Sequence, residues 1–190
     1  MKKRIFFLYL IICLAATHLS VLAAESPLTA NELIDLQESC TLSLEFKHDD
    51  KFFEEESIEL YRIASVSENF IYTLAPEFES TGVSLNGAVS KSEWTAIRTT
   101  LENYIATESI LPVKVGFTDN KGIVKFDDLE PGMYFTSAIC TTKDDIMYCF
   151  ASVLTSLPNL KDGKPIYVLY RKAKQKRCRK KDKKLLQKNE

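Results

Sequence analysis

The sequence predicts a mainly-β protein, a sandwich of about seven short strands with one inserted amphipathic helix. Three observations point there. Residues 115–135, VGFTDNKGIVKFDDLEPGMYF, spell strand, tight turn, strand, turn and strand within a short span. Short alternating apolar runs recur elsewhere along the chain. A single stretch, residues 90–106, switches to helical spacing.

Taken in order, Lys2, Lys3 and Arg4 precede an apolar run over residues 5–16, and Val21, Leu22 and Ala23 end it at a site small enough for signal peptidase. Residues 1–23 therefore read as a cleaved export signal. The run is shorter than the ~20 residues that span a bilayer, and Thr17, His18 and Ser20 interrupt it, which argues against a membrane anchor. Residues 24–39 form a polar lead-in, where Leu28, Leu33, Ile34 and Leu36 offer the makings of a short helix. Residues 41–47 alternate Leu42, Leu44 and Phe46 with polar neighbours, the mark of a half-buried strand. A charged connection leads to a second strand at residues 57–66. Phe70, Tyr72 and Leu74 then alternate until Pro76, which cannot donate to a ladder.

Ser90 and Glu93 have capping-box spacing, the serine hydroxyl meeting the third helical N–H while the glutamate reaches back. Trp94, Ile97, Leu101, Tyr104 and Ile105 follow at three- and four-residue intervals, an apolar stripe expected to pack on the sandwich. From residue 113 the chain is β again. The turn Asp119-Asn120-Lys121-Gly122 and the later Pro131-Gly132 each place a glycine where positive φ is expected. Strands are expected over residues 133–140, 146–154 and 166–170.

The chain's formal net charge of −1 conceals a division. Residues 24–170 carry 11 Lys/Arg against 24 Asp/Glu, whereas residues 171–190 carry 11 against 2. The acidic body argues against nucleic acid as a partner. The tail, residues 171–190, is expected to be disordered or marginally helical. Three roles stay open for it: attraction to anionic wall polymers or lipid headgroups, docking on the acidic body of another copy, or the remnant of a truncated gene.

Candidate chemistry is sparse. After loss of the signal, His48 is the one imidazole, so any Ser-His-Asp or Cys-His constellation would depend on it, and no enzyme is expected. No glycine-rich phosphate loop follows a strand, and the turn at Asp119 lacks the further acidic positions of a calcium loop. The acidic groups Asp49-Asp50, Glu54-Glu55-Glu56 and Asp127-Asp128 read as solvated turns, and no cofactor is expected. Cys40, Cys140, Cys149 and Cys178 remain after processing, in a compartment that favours oxidation. Their spacing fits no zinc pattern. Cys140 and Cys149 flank a polar loop near the ends of two hairpin segments, which is compatible with a cross-strand disulfide or with two buried thiols.

The pattern of Thr118, Asp119, Gly122, Val124, Phe126, Leu129, Gly132 and Tyr134 resembles the prealbumin-like, collagen-adhesin B-type domains of Gram-positive pilins and surface adhesins. CTLSLEF, SIELYRIASV, FIYTLAPEFESTGVSLN, SEWTAIRTTLENYI and SLPNL extend the likeness, in that order, to the N-terminal domain of a major pilin backbone subunit. Residues 40–170 are covered. The resemblance implies an immunoglobulin-like (prealbumin-like) β-sandwich and a structural, secreted or cell-wall-associated role among other pilin subunits and sortase. The alternative is a secreted binding protein for a host glycoprotein or glycan.

Relatives often form an isopeptide bond in which a buried carboxyl group assists attack by a neutral lysine amine on an asparagine. Here Lys47 ends its strand instead of lying within it, and PIYVLY contains no Asn or Asp. No bond is therefore expected, with Lys47 and Asn159 the residual pair. The resemblance also places Lys172 at the position of the sortase acyl acceptor, although Arg171 stands where a proline is usual. Leu157-Pro158-Asn159-Leu160 lacks the Thr-Gly of a sorting signal and reads as a loop.

Overall fold

The structure, a computed structural model, describes residues 32–88 and 90–176. The export signal, residues 24–31 of the lead-in, and residues 177–190 of the basic tail, with Cys178, lie outside the described residues.

The chain opens with β1 (Cys40–Glu45), β2 (Lys47–His48) and β3 (Lys51–Phe52), followed by the long β4 (Ser57–Val66) and β5 (Tyr72–Leu74). A 3-10 helix (Pro76–Thr81) and α1 (Lys91–Glu108) come next. The remainder is β6 (Lys114–Phe117), β7 (Ile123–Leu129), β8 (Gly132–Thr136), β9 (Ile139–Lys143), β10 (Ile146–Phe150) and β11 (Val153–Leu157), then β12 (Asn159–Lys161), β13 (Lys164–Ile166), β14 (Val168–Lys172) and β15 (Gln175–Lys176). The protein is mainly β with one α-helix among the described residues, a β-sandwich in class.

Two sheets form the sandwich, one ordered β14-β1-β7 and the other β11-β8-β4-β5, with β6 pairing to the first half of β4. The first and last long strands meet in parallel: Leu44 lies opposite Arg171 and Glu45 opposite Lys172. Strand parity then sorts side chains between two cores. Ile58 and Leu60 of β4, Tyr134 of β8 and Leu157 of β11 face Leu42, Leu44, Val124 and Phe126 in the sandwich interior. Their neighbours Tyr61, Ile63, Met133 and Phe135 face the opposite way, against Ile97, Leu101 and Ile105 of α1. The β4–β8 pair is therefore covered on both faces.

The capping box forms as expected: the Glu93 amide donates to Ser90 Oγ at 3.1 Å, and the Ser90 amide to Glu93 Oε2 at 2.7 Å. A third small sheet, β15-β10-β9, closes one end of the sandwich with Tyr148 and Phe150, which contact Phe53 at ring separations of 5.0 Å.

Several expectations shift. The strand expected over 133–140 breaks between β8 and β9, and that over 146–154 breaks between β10 and β11, since each second part joins a different sheet. The segment 157–160, read as a loop, is instead the end of β11 and the start of β12. Residues 36–38 of the lead-in are turn and bend rather than helix, with Ile34 buried. Strand runs past Tyr170, in β14 to Lys172 and again in β15, and between them the Ala173 amide donates to the Glu45 carbonyl at 2.8 Å while the Ala173 side chain is buried. The basic segment thus begins inside the fold.

Candidate functional site

The turn motif builds scaffold. Asp119 Oδ1 accepts from the amides of Lys121 and Ile123 at 2.9 and 2.8 Å, so this carboxylate caps its own turn. Thr118 is buried, and its hydroxyl accepts from the Glu56 amide at 2.9 Å. The Tyr134 hydroxyl donates to the Glu130 carbonyl at 2.7 Å, and burial pushes its pKa up to about 12. Gly122 takes φ +69° as expected, but Gly132 does not adopt positive φ. Its need is proximity: a Cβ there would lie 2.5 Å from the Ala64 carbonyl oxygen.

The sequence-selected residues fall in separate places. Lys47 Nζ lies 4.7 Å from the centre of the Phe52 ring, in the β2–β3 hairpin. Asn159 is in the β12–β13 hairpin opposite Ile166. Cys140 and Cys149 are directly opposed on β9 and β10 and are joined as a disulfide. Cys40 is a buried free thiol whose pKa burial pushes up to about 11. His48 approaches Asp49 at 3.4 Å and packs against Tyr148. Among the described residues no group of three or more His, Cys, Asp or Glu side chains is placed to hold a metal ion.

Lys172 has a partner that sequence reading missed. Its Nζ lies 3.3 Å from Glu45, which is 8 % exposed. A hydrogen bond from Tyr170 holds the Glu45 carboxyl below the usual carboxylate range against the opposing effect of burial, with help from Lys172 and Lys47. The Tyr170 hydroxyl is correspondingly pushed up to about 12 by its own burial and by Glu45. Glu45 follows the alternation of β1 as Thr41 and Ser43 do, so the sequence carried no signal for this cluster, which arises from the parallel pairing with β14. The Lys172 side chain is 75 % exposed.

Two surface features remain. The first is at β6, whose apolar residues face outward: Val115 and Phe117 are each more than half exposed, as is Val113 just before the strand, and Leu111 ahead of it is 84 % exposed. The inward positions are Lys114, donating to the Asp127 carbonyl, and Gly116, where a Cβ would lie 2.7 Å from a Val124 methyl. With β7 so close beneath Gly116, no side chain fits inward there, and the apolar Val115 and Phe117 on either side take the outer face. Among the described strands β6 ladders only to β4. The second is an open groove of about 450 Å³ between the 82–88 loop and α1, where Thr81, Ser84, Asn86 and Thr100 alternate with apolar residues such as Val83 and Ile97.

No protein-family model matches the sequence, and no curated protein matches it. Solved structures do. Those it is similar to include pilins. The fimbrial protein FimP from Actinomyces oris is 14 % identical with a TM-score of 0.44, over 76 % of this chain and 31 % of that one. The T6 backbone pilin of Streptococcus pyogenes is 19 % identical with a TM-score of 0.42, over 75 % and 29 %. The SpaB basal pilin from Lactobacillus rhamnosus GG is 15 % identical with a TM-score of 0.41, over 77 % and 99 %. The chain spans about a third of the length of the first two. No helix among the described residues is long and apolar enough to cross a membrane.

Proposed function

We propose that this chain is a structural module of the pilin and adhesin type, exported through residues 1–23 to the surface of a Gram-positive cell, where it acts by presenting β faces to other subunits rather than by catalysis. The outward apolar stripe of β6 carries this reading. A contiguous row of large apolar side chains on an unladdered edge is a docking surface in proteins that associate and a liability in those that do not. The turn motif supports the same conclusion, since Thr118, Asp119, Gly122 and Tyr134 are all occupied in holding the scaffold. Lys172 is the proposed acyl acceptor for sortase, and to serve it would have to leave Glu45.

A second reading, a secreted binder of a host glycan, is favoured by the groove between the 82–88 loop and α1, where hydroxyl and amide groups beside apolar ones suit sugar recognition. Cell-wall fractionation separates the two. Covalent high-mass ladders that vanish in Lys172→Arg, and association that falls in Val115→Lys, are expected for the pilin role. A freely soluble monomer that retains a glycan overturns it.

A further inference from the structure

On a body whose acidic residues outnumber its basic ones by 24 to 11 over residues 24–170, one groove has basic residues as its only charged lining. It occupies about 170 Å³, and four of its residues, Arg98, Arg171, Lys172 and Lys174, are basic while none is acidic. Ala151 and Ser152, in the link between β10 and β11, contribute small residues to its wall.

Fixed backbone carries these cations. The Ala151 amide donates to the Lys174 carbonyl and the Ala173 amide to the Glu45 carbonyl, both at 2.8 Å, so the chain from β14 to β15 is tied on either side of the groove. Arg98 reaches it from α1. Its Nη2 donates to Thr95 at 3.2 Å, while Glu102, one turn further along the helix, is engaged at 3.1 Å by the Ala138 amide instead. Lys172 is paired with Glu45, but Arg98, Arg171 and Lys174 have no ion pair among the described residues. Holding like charges together around one concavity is unfavourable in the empty protein and favourable once an anion sits among them. The planar guanidinium groups of two arginines match tetrahedral oxyanions in geometry as well as charge.

We propose that this groove binds a linear polyanion bearing phosphate or sulfate groups, with Arg98, Arg171 and Lys174 as its contacts. A polymer fits better than a single ion because the sequence that follows Lys174 stays basic, with Lys176, Arg177, Arg179 and Lys180. The groove sets where the polymer docks, and the residues that follow in sequence add to the positive charge available to it. The proposal goes beyond the structural role above and does not depend on it, because it concerns the isolated protein.

Fluorescence anisotropy of the full chain with labelled polyphosphate, and separately with a heparin-derived sulfated oligosaccharide, provides the test. Binding is expected to weaken linearly in log K against log salt concentration. Arg98→Gln, which leaves every residue of the basic tail intact, should weaken it roughly tenfold and reduce the salt slope by about one. Lys91→Gln, at the far end of the same helix, should leave it unchanged. Tighter binding in the phosphate arm identifies a phosphate polymer as the source, and tighter binding in the sulfate arm a sulfated glycan. The proposal is overturned if neither probe binds, if Arg98→Gln binds as tightly as the unaltered chain, or if Lys91→Gln weakens binding as much as Arg98→Gln. Circular dichroism of both variants checks that α1 is intact.

Discussion

At Gly122 the backbone stands at φ +69°, and a Cβ would lie 2.4 Å from the Phe46 carbonyl oxygen, so a side chain would meet both conformational strain and an immovable neighbour. Gly87 also has positive φ, at +83°, but opens onto empty space. The pair separates the two effects. Gly87→Ala should cost about 1 kcal/mol from strain alone, and Gly122→Ala about 2 kcal/mol or more. Urea midpoints of the two variants check the ordering, and equal losses would mean that the close approach to Phe46 is relieved by movement. The turn at Gly122 was legible from the sequence because Asp-Asn-Lys-Gly is local turn chemistry. The reason for Gly132 was not, since the oxygen it avoids belongs to Ala64 on another strand.

Elements behave likewise. The boundaries of α1 were readable because Ser90 and Glu93 cap it locally and its stripe has one period. β1 also emerged from alternation, yet alternation gave no hint that Glu45 would be drawn into a cluster with Tyr170 and Lys172 by the parallel pairing with β14. That cluster has a measurable consequence. The Glu45 carboxyl is held below its ordinary value in the folded protein. It therefore adds stability above the unfolded carboxylate pKa and loses it as pH falls through the lower, folded value. Urea midpoints followed from about pH 7 down through the usual carboxylate range should fall less steeply in Glu45→Gln than in the unaltered chain, with the two curves converging at the acid end. Asp127 and Asp144, also held low by lysine partners, account for part of the slope that remains. Parallel curves would show that Glu45 is not a source of acid sensitivity.

For the molecule as a whole, the shared β4–β8 pair makes two cores one cooperative unit. Leu44 belongs to the sandwich core and Leu101 to the helix core, and both are fully buried. Leu44→Ala and Leu101→Ala should each cost about 2–5 kcal/mol, and each should displace a single transition. Fluorescence of Trp94, which packs against the helix core, and far-ultraviolet circular dichroism should report the same midpoint in both variants. A helix layer that melted first in Leu101→Ala would refute the coupling. By itself the sequence determined the β class, the helix and its cap, the turn punctuation and the division of charge, because each is carried by neighbours along the chain. Tertiary structure alone decided which strands pair across the sandwich, that Lys172 meets Glu45, that β6 turns its apolar residues outward over β7, and that Arg98 joins Arg171 and Lys174 around one groove. Those are contacts between different elements, most of them tens of positions apart, and a one-dimensional period carries no information about the strand or helix that will lie opposite.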